Sequence, residues 1–343
     1  MKKSLFILSV LSLLVSCGRR PAAENEAPAS IIMETDLGND VDDAIALALL
    51  YKYLDEGKIR LLAININKNG DAPVAYADIM NTWYGYPDIP VGGISDGAEC
   101  ETDAEVNYAK AVVQMNGPDG KPLFARHHKA PNDFPAAVTL YRKLLSAEPD
   151  SSVTIASVGF STNLARLLDT PADEYSPLTG TELVAKKVRL LVTMAGRFDD
   201  TDYCEYNVVK DIPAAKAVFE KWPTPVVTSP FELGLQVQYP GESIANDFGW
   251  TPAHPVVEAY KAYLPMPYDR PSWDPTAVLY AVEGGEWFDI SAPGRIVVSD
   301  KGSTSFTEDP SGTHRYLSVS AGQAEAIRKH FVEMVTSRPA SME

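Results

Sequence analysis

The sequence predicts an α/β fold, a mostly parallel open sheet with helices on both faces, closed by an antiparallel extension at the C-terminal end. Three observations carry this expectation. Short apolar runs alternate with helical patterns from Ile31 to about Thr228, the rhythm of strand-helix-strand units whose crossovers build parallel sheets. Asp300-Lys301-Gly302 and Pro310-Ser311-Gly312 punctuate the last apolar runs, as tight turns between antiparallel strands do. With 45% hydrophobic and 22% charged residues over 343 positions, the chain can bury a large core.

The elements follow in order. Residues 31–35 form an apolar strand and 42–56 an amphipathic helix rich in Ala and Leu, both good helix formers. A second strand spans 61–66 and a helix 73–84. Residues 92–132 break the rhythm with Gly, Pro and charges, a stretch too long for a plain connection. Helix 136–147, strand 153–158, helix 162–168, strand 188–194, helix 212–221 and strand 225–228 resume it. Helical, Pro-rich sequence runs from 230 to about 283, then strands 290–298, 303–307 and 316–320, and a closing helix over 321–336.

The N-terminus reads as a processing signal. Lys2 and Lys3 precede a largely apolar stretch over 5–15, closed by Leu14-Val15-Ser16-Cys17. The stretch is too short to span a bilayer but has the length of a signal core. It resembles a bacterial lipoprotein signal, in which Cys17 becomes the lipidated first residue. The expected organisation is therefore a signal peptide over 1–16, a flexible tether over 17–29 and one domain over 30–338. Export to the periplasm or the outer membrane, with the membrane reached through the lipid on Cys17, follows from that reading. Cys100 and Cys204 lack the CxxC spacing of a zinc or redox site. The 30 basic residues against 46 acidic ones give a net charge of −16, which argues against nucleic acid as a partner.

The densest acidic cluster runs Glu34-Thr35-Asp36-Leu37-Gly38-Asn39-Asp40-Val41-Asp42-Asp43. It lies where the first strand ends and the first helix begins, and ligands of open α/β sheets sit in the crevice at the carboxyl ends of strands. Crowded carboxylates repel one another unless a cation sits among them, and hard ions, Ca²⁺ above all, favour such oxygens. Capping of the first helix accounts for Asp42 and Asp43 but leaves Asp36 unexplained. The spacing is not that of an EF-hand, because the third position from Asp36 is Gly38 and the twelfth Leu47.

These residues carry a resemblance. Asp36-x-Gly38 followed by Asp42-Asp43-Ala44 is similar to the N-terminal signature of the nucleoside hydrolases, Ca²⁺-dependent enzymes that cleave the N-glycosidic bond of nucleosides. Gly159-Phe160-Ser161-Thr162-Asn163, Met194-Ala195-Gly196, Glu205-Tyr206-Asn207, Asp211-x-x-Ala214-Ala215 and Trp273-Asp274-Pro275 follow in the family's order. The resemblance implies Ca²⁺ held by Asp36, Asp43, the carbonyl of Val158 and Asp274, with Asp36 also the general base. Asp42, Glu205 and Asn207 would hold the sugar hydroxyls, and Asn69 would face the substrate. Trp273 resembles the residue that stacks on the base in the purine-preferring branch. A homo-oligomer, dimer or tetramer, is common in the family.

The chain departs from the family signature in places. Glu34 stands for the first Asp and Leu37 for the usual Pro, and two extra residues separate Asp36 from Asp42-Asp43, which makes Asp40 a rival ligand. The general acid is unassigned, with His127 and His128 of the long loop as candidates. Asp211 and Asn163 read as capping or turn residues, and Trp83 as core. The resulting expectation is a lipid-anchored hydrolase of ribonucleosides, purine ones first. Its rivals are an anchored nucleoside- or sugar-binding protein without turnover, and a hydrolase of another N-ribosyl compound.

Overall fold

The computed structural model describes residues 27–98, 107–130 and 133–342. The predicted signal, Cys17, most of the tether and Cys100 lie outside the described residues. From the N-terminus the chain runs β1 (Ala29–Thr35), α1 (Asp42–Asp55), β2 (Ile59–Ile66), α2 (Asp71–Tyr84), β3 (Val91–Gly92), α3 (Tyr108–Val113) and α4 (Ala137–Ala147). It continues through β4 (Val153–Ser157), α5 (Thr162–Leu168), α6 (Gly180–Lys187), β5 (Val188–Met194), α7 (Tyr206–Val209), α8 (Ile212–Lys221) and β6 (Val226–Ser229). Then come α9 (Phe231–Gln236), β7 (Gln238–Tyr239), α10 (Gly241–Asn246), α11 (Pro255–Tyr263), β8 (Arg270–Pro271) and α12 (Trp273–Glu283). The chain closes with β9 (Asp289–Ile290), β10 (Gly294–Val298), β11 (Thr304–Glu308), β12 (His314–Ser318) and α13 (Ala321–Thr336).

One sheet holds the order β11-β10-β12-β6-β5-β4-β1-β2-β3, with β9 paired to β12, and β7 and β8 form a separate ribbon. β1 is an interior strand, parallel to β2 and β4, and is buried over Ser30 to Thr35. Strands covered on both faces read as continuous apolar runs, which is why Ile31-Ile32-Met33 was legible as a strand. Ile31, Met33 and Ile64 belong to the larger apolar cluster, whereas Ile32, Ala63 and Ile155 belong to another. Adjacent side chains on one strand feed opposite faces, so each face has its own core. The predicted mostly parallel fold is what the structure shows.

Four local differences have physical reasons. α1 is buried on nearly all sides, Asp42 to Tyr53 included, and is thus a central helix rather than a one-sided amphipathic one; it packs on α12, α13 and α11. The predicted strand 290–298 is two strands, β9 and β10, parted at Pro293, which has no N–H to donate to a ladder. β12 starts at His314 and joins the two parts of the sheet, pairing antiparallel with β9 and β10 on one edge and parallel with β6 on the other, while β11 pairs antiparallel with β10. α6 went unpredicted, although Thr179 and Glu182 form a reciprocal capping box there, a signature readable from Thr-x-x-Glu. Among the described residues no helix is long and apolar enough to cross a membrane.

Candidate active site

The parallel strands end together, and their ends are tied. The Glu34 carbonyl accepts the Val158 N–H at 2.7 Å, and the Thr35 carbonyl accepts the Asn67 N–H at 3.0 Å. Asn163, expected at a turn or cap, donates to Glu34 Oε1 at 2.6 Å and to the Ile66 carbonyl at 3.0 Å. Asn67 Oδ1 accepts the Phe160 N–H at 3.1 Å. Gly159 is required here, because a Cβ would come within 2.4 Å of the Asp36 nitrogen. Asp36 therefore leaves β1 hard against the Val158–Phe160 turn and is 6% exposed. Gly38 then reverses the chain at φ +118°, a conformation that disfavours side-chain-bearing residues.

Asp42 and Asp43 open α1, yet neither caps it. Asp42 Oδ2 instead accepts the N–H of Asp274 at 3.0 Å, at the start of α12. Thr35 donates its hydroxyl to Asp43 Oδ1. One carboxylate oxygen from each of Asp42, Asp43 and Asp274 lies within 4.8 Å of the others, and all three residues are buried. Burial first, then repulsion from neighbouring carboxylates, pushes all three far above the ordinary Asp range. Asp36 adds to that repulsion at Asp43 and Asp274. Charge crowding of this kind is relieved by protons or by a cation. The donors are all hard oxygens, so the acidic triad suits a metal ion such as Mg²⁺ or Ca²⁺.

A cleft of about 280 Å³ opens above these carboxylates. Asp36, Asp42, Asp43, Val158, Glu205, Asn207, Trp273 and Asp274 all line it. Glu205 and Asn207 are 2% and 7% exposed, which excludes a solvated strand edge. Glu205 Oε1 accepts the Asn207 N–H at 2.8 Å, and its Oε2 accepts Gly196 and Val208 N–H groups at 3.2 and 3.3 Å. Burial pushes Glu205 up to about 7, against the pull of those N–H groups. Asn207 Nδ2 donates to the carbonyls of Val158 and Met194 at 3.2 and 3.1 Å. That amide fixes the Val158 carbonyl and leaves Asn207 Oδ1 as an acceptor.

Other expected residues sit elsewhere. Asn69 lines a neighbouring pocket with Gly70 and Asp71, not the acidic cleft. His128 is held by Asp78 through its ring, Nδ1 to Oδ1 at 2.9 Å, and through its backbone N–H; neither it nor His127 lines the cleft. Asp211 caps α8 by accepting the Ala214 N–H at 3.1 Å, and Trp83 packs edge-on against His254. The rival ligand Asp40 does line the cleft but is bound by Arg270, whose Nε reaches Asp40 Oδ1 at 2.8 Å and whose Nη2 reaches Oδ2.

Two contributors, Arg270 and Lys68, escaped the sequence reading, and a third, Glu34, was counted among the acids without a role. Arg270 lines the cleft. Lys68 is fully buried, its charge favouring the ionised form of Asp43. Glu34 is fully buried and pushed up to about 8 by that burial. A basic residue two positions after the second apolar strand, in a chain whose first strand ends among five acids, was a usable signal for Lys68. Arg270 lies 230 positions from Asp40 and left no local trace.

Comparison with known proteins now decides the family. The model of the inosine-uridine preferring nucleoside hydrolases matches residues 31–332. The chain belongs to that family. The pyrimidine-specific ribonucleoside hydrolase RihA of Escherichia coli is 32% identical over 213 residues, 61% of this chain and 62% of its own. The chain thus spans about 62% of the length of the curated relatives it matches. A plant nucleoside hydrolase superposes with a TM-score of 0.69 at 19% identity, covering 91% of this chain and all of that one. A purine-preferring ribonucleoside hydrolase from Gardnerella vaginalis gives 0.66 at 16%, covering 90% and 99%. At these identities the nucleoside hydrolase structures establish the fold.

Proposed function

We propose that this nucleoside hydrolase family member cleaves the N-glycosidic bond of ribonucleosides to free base and ribose, with purine ribonucleosides preferred and Ca²⁺ as the metal. The observation that carries the reading is the meeting of Asp36, Asp42, Asp43 and Asp274 with Glu205 and Asn207 in one buried cleft. Asp43, Asp274, Asp36 and the Val158 carbonyl would hold the ion, and a carboxylate oxygen of Asp42 lies within 4.8 Å of one from each of the first two. When bound, Ca²⁺ supplies positive charge that acidifies an attacking water and orients ribose oxygens. Asp36, the most exposed of Asp36, Asp42, Asp43 and Asp274, accepts the proton of that water as general base. The C1′–N bond breaks with its electron pair leaving on the base, through an oxocarbenium-like sugar. Asp42 Oδ1, Glu205 and Asn207 Oδ1 accept the ribose hydroxyls, and their anionic surroundings favour the cationic sugar.

Purine preference rests on the aromatic wall of the cleft, Trp273 with Phe231, Tyr206 and Tyr263, which gives a large base more contact area. The pyrimidine-specific name of the RihA relatives favours the opposite order. Free ribose from inosine, guanosine, adenosine, uridine and cytidine, with and without EDTA, tests both. Release that EDTA abolishes and Ca²⁺ restores, fastest on purines, is the expected result. Release only from uridine and cytidine would reverse the base preference. Tight nucleoside binding with no product would favour the non-hydrolytic rival.

Residues 1–29 place this activity on a membrane in our reading, with Cys17 as the lipidated residue of an exported lipoprotein. Metabolic labelling with palmitate that Cys17→Ser eliminates is the expected outcome; equal labelling of both forms would remove the anchor.

A further inference from the structure

The cleft contains a cation for which the proposed chemistry has given no use. Among the described residues lining it, Arg270 alone carries positive charge, facing five carboxylates of α1, α12 and the β1–α1 turn. Two of its N–H groups, on Nε and Nη2, are spent on Asp40. Its Nη1 makes no hydrogen bond to a described residue, so the outer edge of the fork, Nη1 with the second Nη2 hydrogen, keeps its donors. The guanidinium carbon lies 5.1 Å from the ring centres of both Trp273 and Tyr263. Trp273 is in turn stacked on Phe231 at 5.3 Å and 22°, and its indole N–H donates to the Phe231 carbonyl at 2.8 Å. The indole is thus already engaged by Phe231 and Arg270, and a base entering beside it meets the guanidinium.

We infer that Arg270 is the residue that receives the leaving base, its free edge binding the paired acceptors of a 6-oxopurine and stabilising the negative charge that base acquires. The inference rests on the hydrolase reading above and names its leaving-group partner. Glu205 has both oxygens occupied by N–H donors and serves as an acceptor, and neither candidate histidine lines the cleft. A guanidinium does not give up its proton at any working pH. In the balanced step, water adds to C1′ and its proton passes to Asp36. The C1′–N9 electrons pass to the purine, which leaves as an anion hydrogen-bonded to Arg270 and takes its proton from solvent. Arginine matches the O6 and N7 acceptors of hypoxanthine or guanine in a bidentate geometry. Adenine presents an amino donor at the same edge and meets donor against donor. Asp40 is the positioning residue, since it fixes the orientation of the fork.

The test compares wild type, Arg270→Met, Arg270→Lys and the charge-balanced Asp40→Asn/Arg270→Met double variant, each checked by thermal melting. Substrates are inosine, adenosine and p-nitrophenyl β-D-ribofuranoside, whose leaving group departs as a stable anion unaided. Loss of one preorganised donor to developing charge costs about 10²–10³-fold in kcat. Arg270→Met and the double variant are expected to lose about that on inosine and at least tenfold less on the nitrophenyl riboside. The preference for inosine over adenosine should collapse, and Arg270→Lys should recover part of the inosine rate. Equal losses on inosine and the nitrophenyl riboside, or none on either, would overturn the assignment while the hydrolase reading stands. Wild-type turnover of no substrate would remove the hydrolase reading and this inference with it.

Discussion

Asp36→Asn is expected to lower base release about 10³-fold while the metal-free protein melts at the same temperature or higher. The activity loss follows from position. Asp36 directly follows the interior strand β1, 6% exposed and lining the cleft, and an amide cannot take a proton from water; removing a general base commonly costs about 10²–10⁴-fold. The stability gain follows from charge. Asp36 repels Asp43, Asp274 and Glu205, raising all three, so neutralising it relieves strain the fold tolerates for function. The backbone is unaffected, because the Glu34 and Thr35 carbonyls hold the flanking strands. Ribose release and a melting curve on the same preparation check both halves. Undiminished turnover would assign the base elsewhere. A collapsed melting temperature would make Asp36 structural.

The legible parts of this molecule share a property: their causes are local. Ile31-Ile32-Met33 announced a doubly covered strand because burial on both faces demands an unbroken apolar run. Asp36, Asp42 and Asp43 announced a site because four carboxylates within eight residues need a partner, and the family's ordered motifs brought in Glu205, Asn207 and Asp274. What stayed hidden depends on contacts across the chain. α1 looks amphipathic in sequence but is enclosed by α11, α12 and α13, and no local pattern reveals how many layers will cover a helix. Asp40 looked like a ligand until Arg270, contributed by β8, took both its oxygens. β12 was expected to be antiparallel because a turn precedes it, and it is so towards β9 and β10, but its other edge pairs in parallel with β6, a partner far away in the chain. Asn69, placed one strand end too far by its sequence neighbours, faces another pocket.

Removal of the metal is expected to reverse the usual pH dependence of stability. Chelated protein should be most stable near pH 5 and lose stability steadily towards pH 8, whereas the Ca²⁺-loaded protein stays nearly level. The sign follows from linkage. Glu205 has an ordinary value of 4.5 and is pushed up to about 7 in the fold. Between those values the folded state holds a proton that the unfolded state has released, so rising pH favours unfolding. At about 1.4 kcal/mol per unit, this one buried group costs roughly 3 kcal/mol by pH 7. Asp42, Asp43 and Asp274, also raised by burial and mutual repulsion, act in the same direction from about pH 4 upward. A divalent cation that replaces their protons removes the dependence, and at a hundredfold excess over its dissociation constant adds about 2.7 kcal/mol. Melting temperatures at pH 5, 6, 7 and 8, in EDTA and in excess Ca²⁺, read the difference directly. Because the apolar core is common to both samples, a gap that widens with pH isolates the carboxylates. Two parallel profiles would instead mean that Asp42, Asp43 and Asp274 stay charged without an ion and that the cleft is not a metal centre.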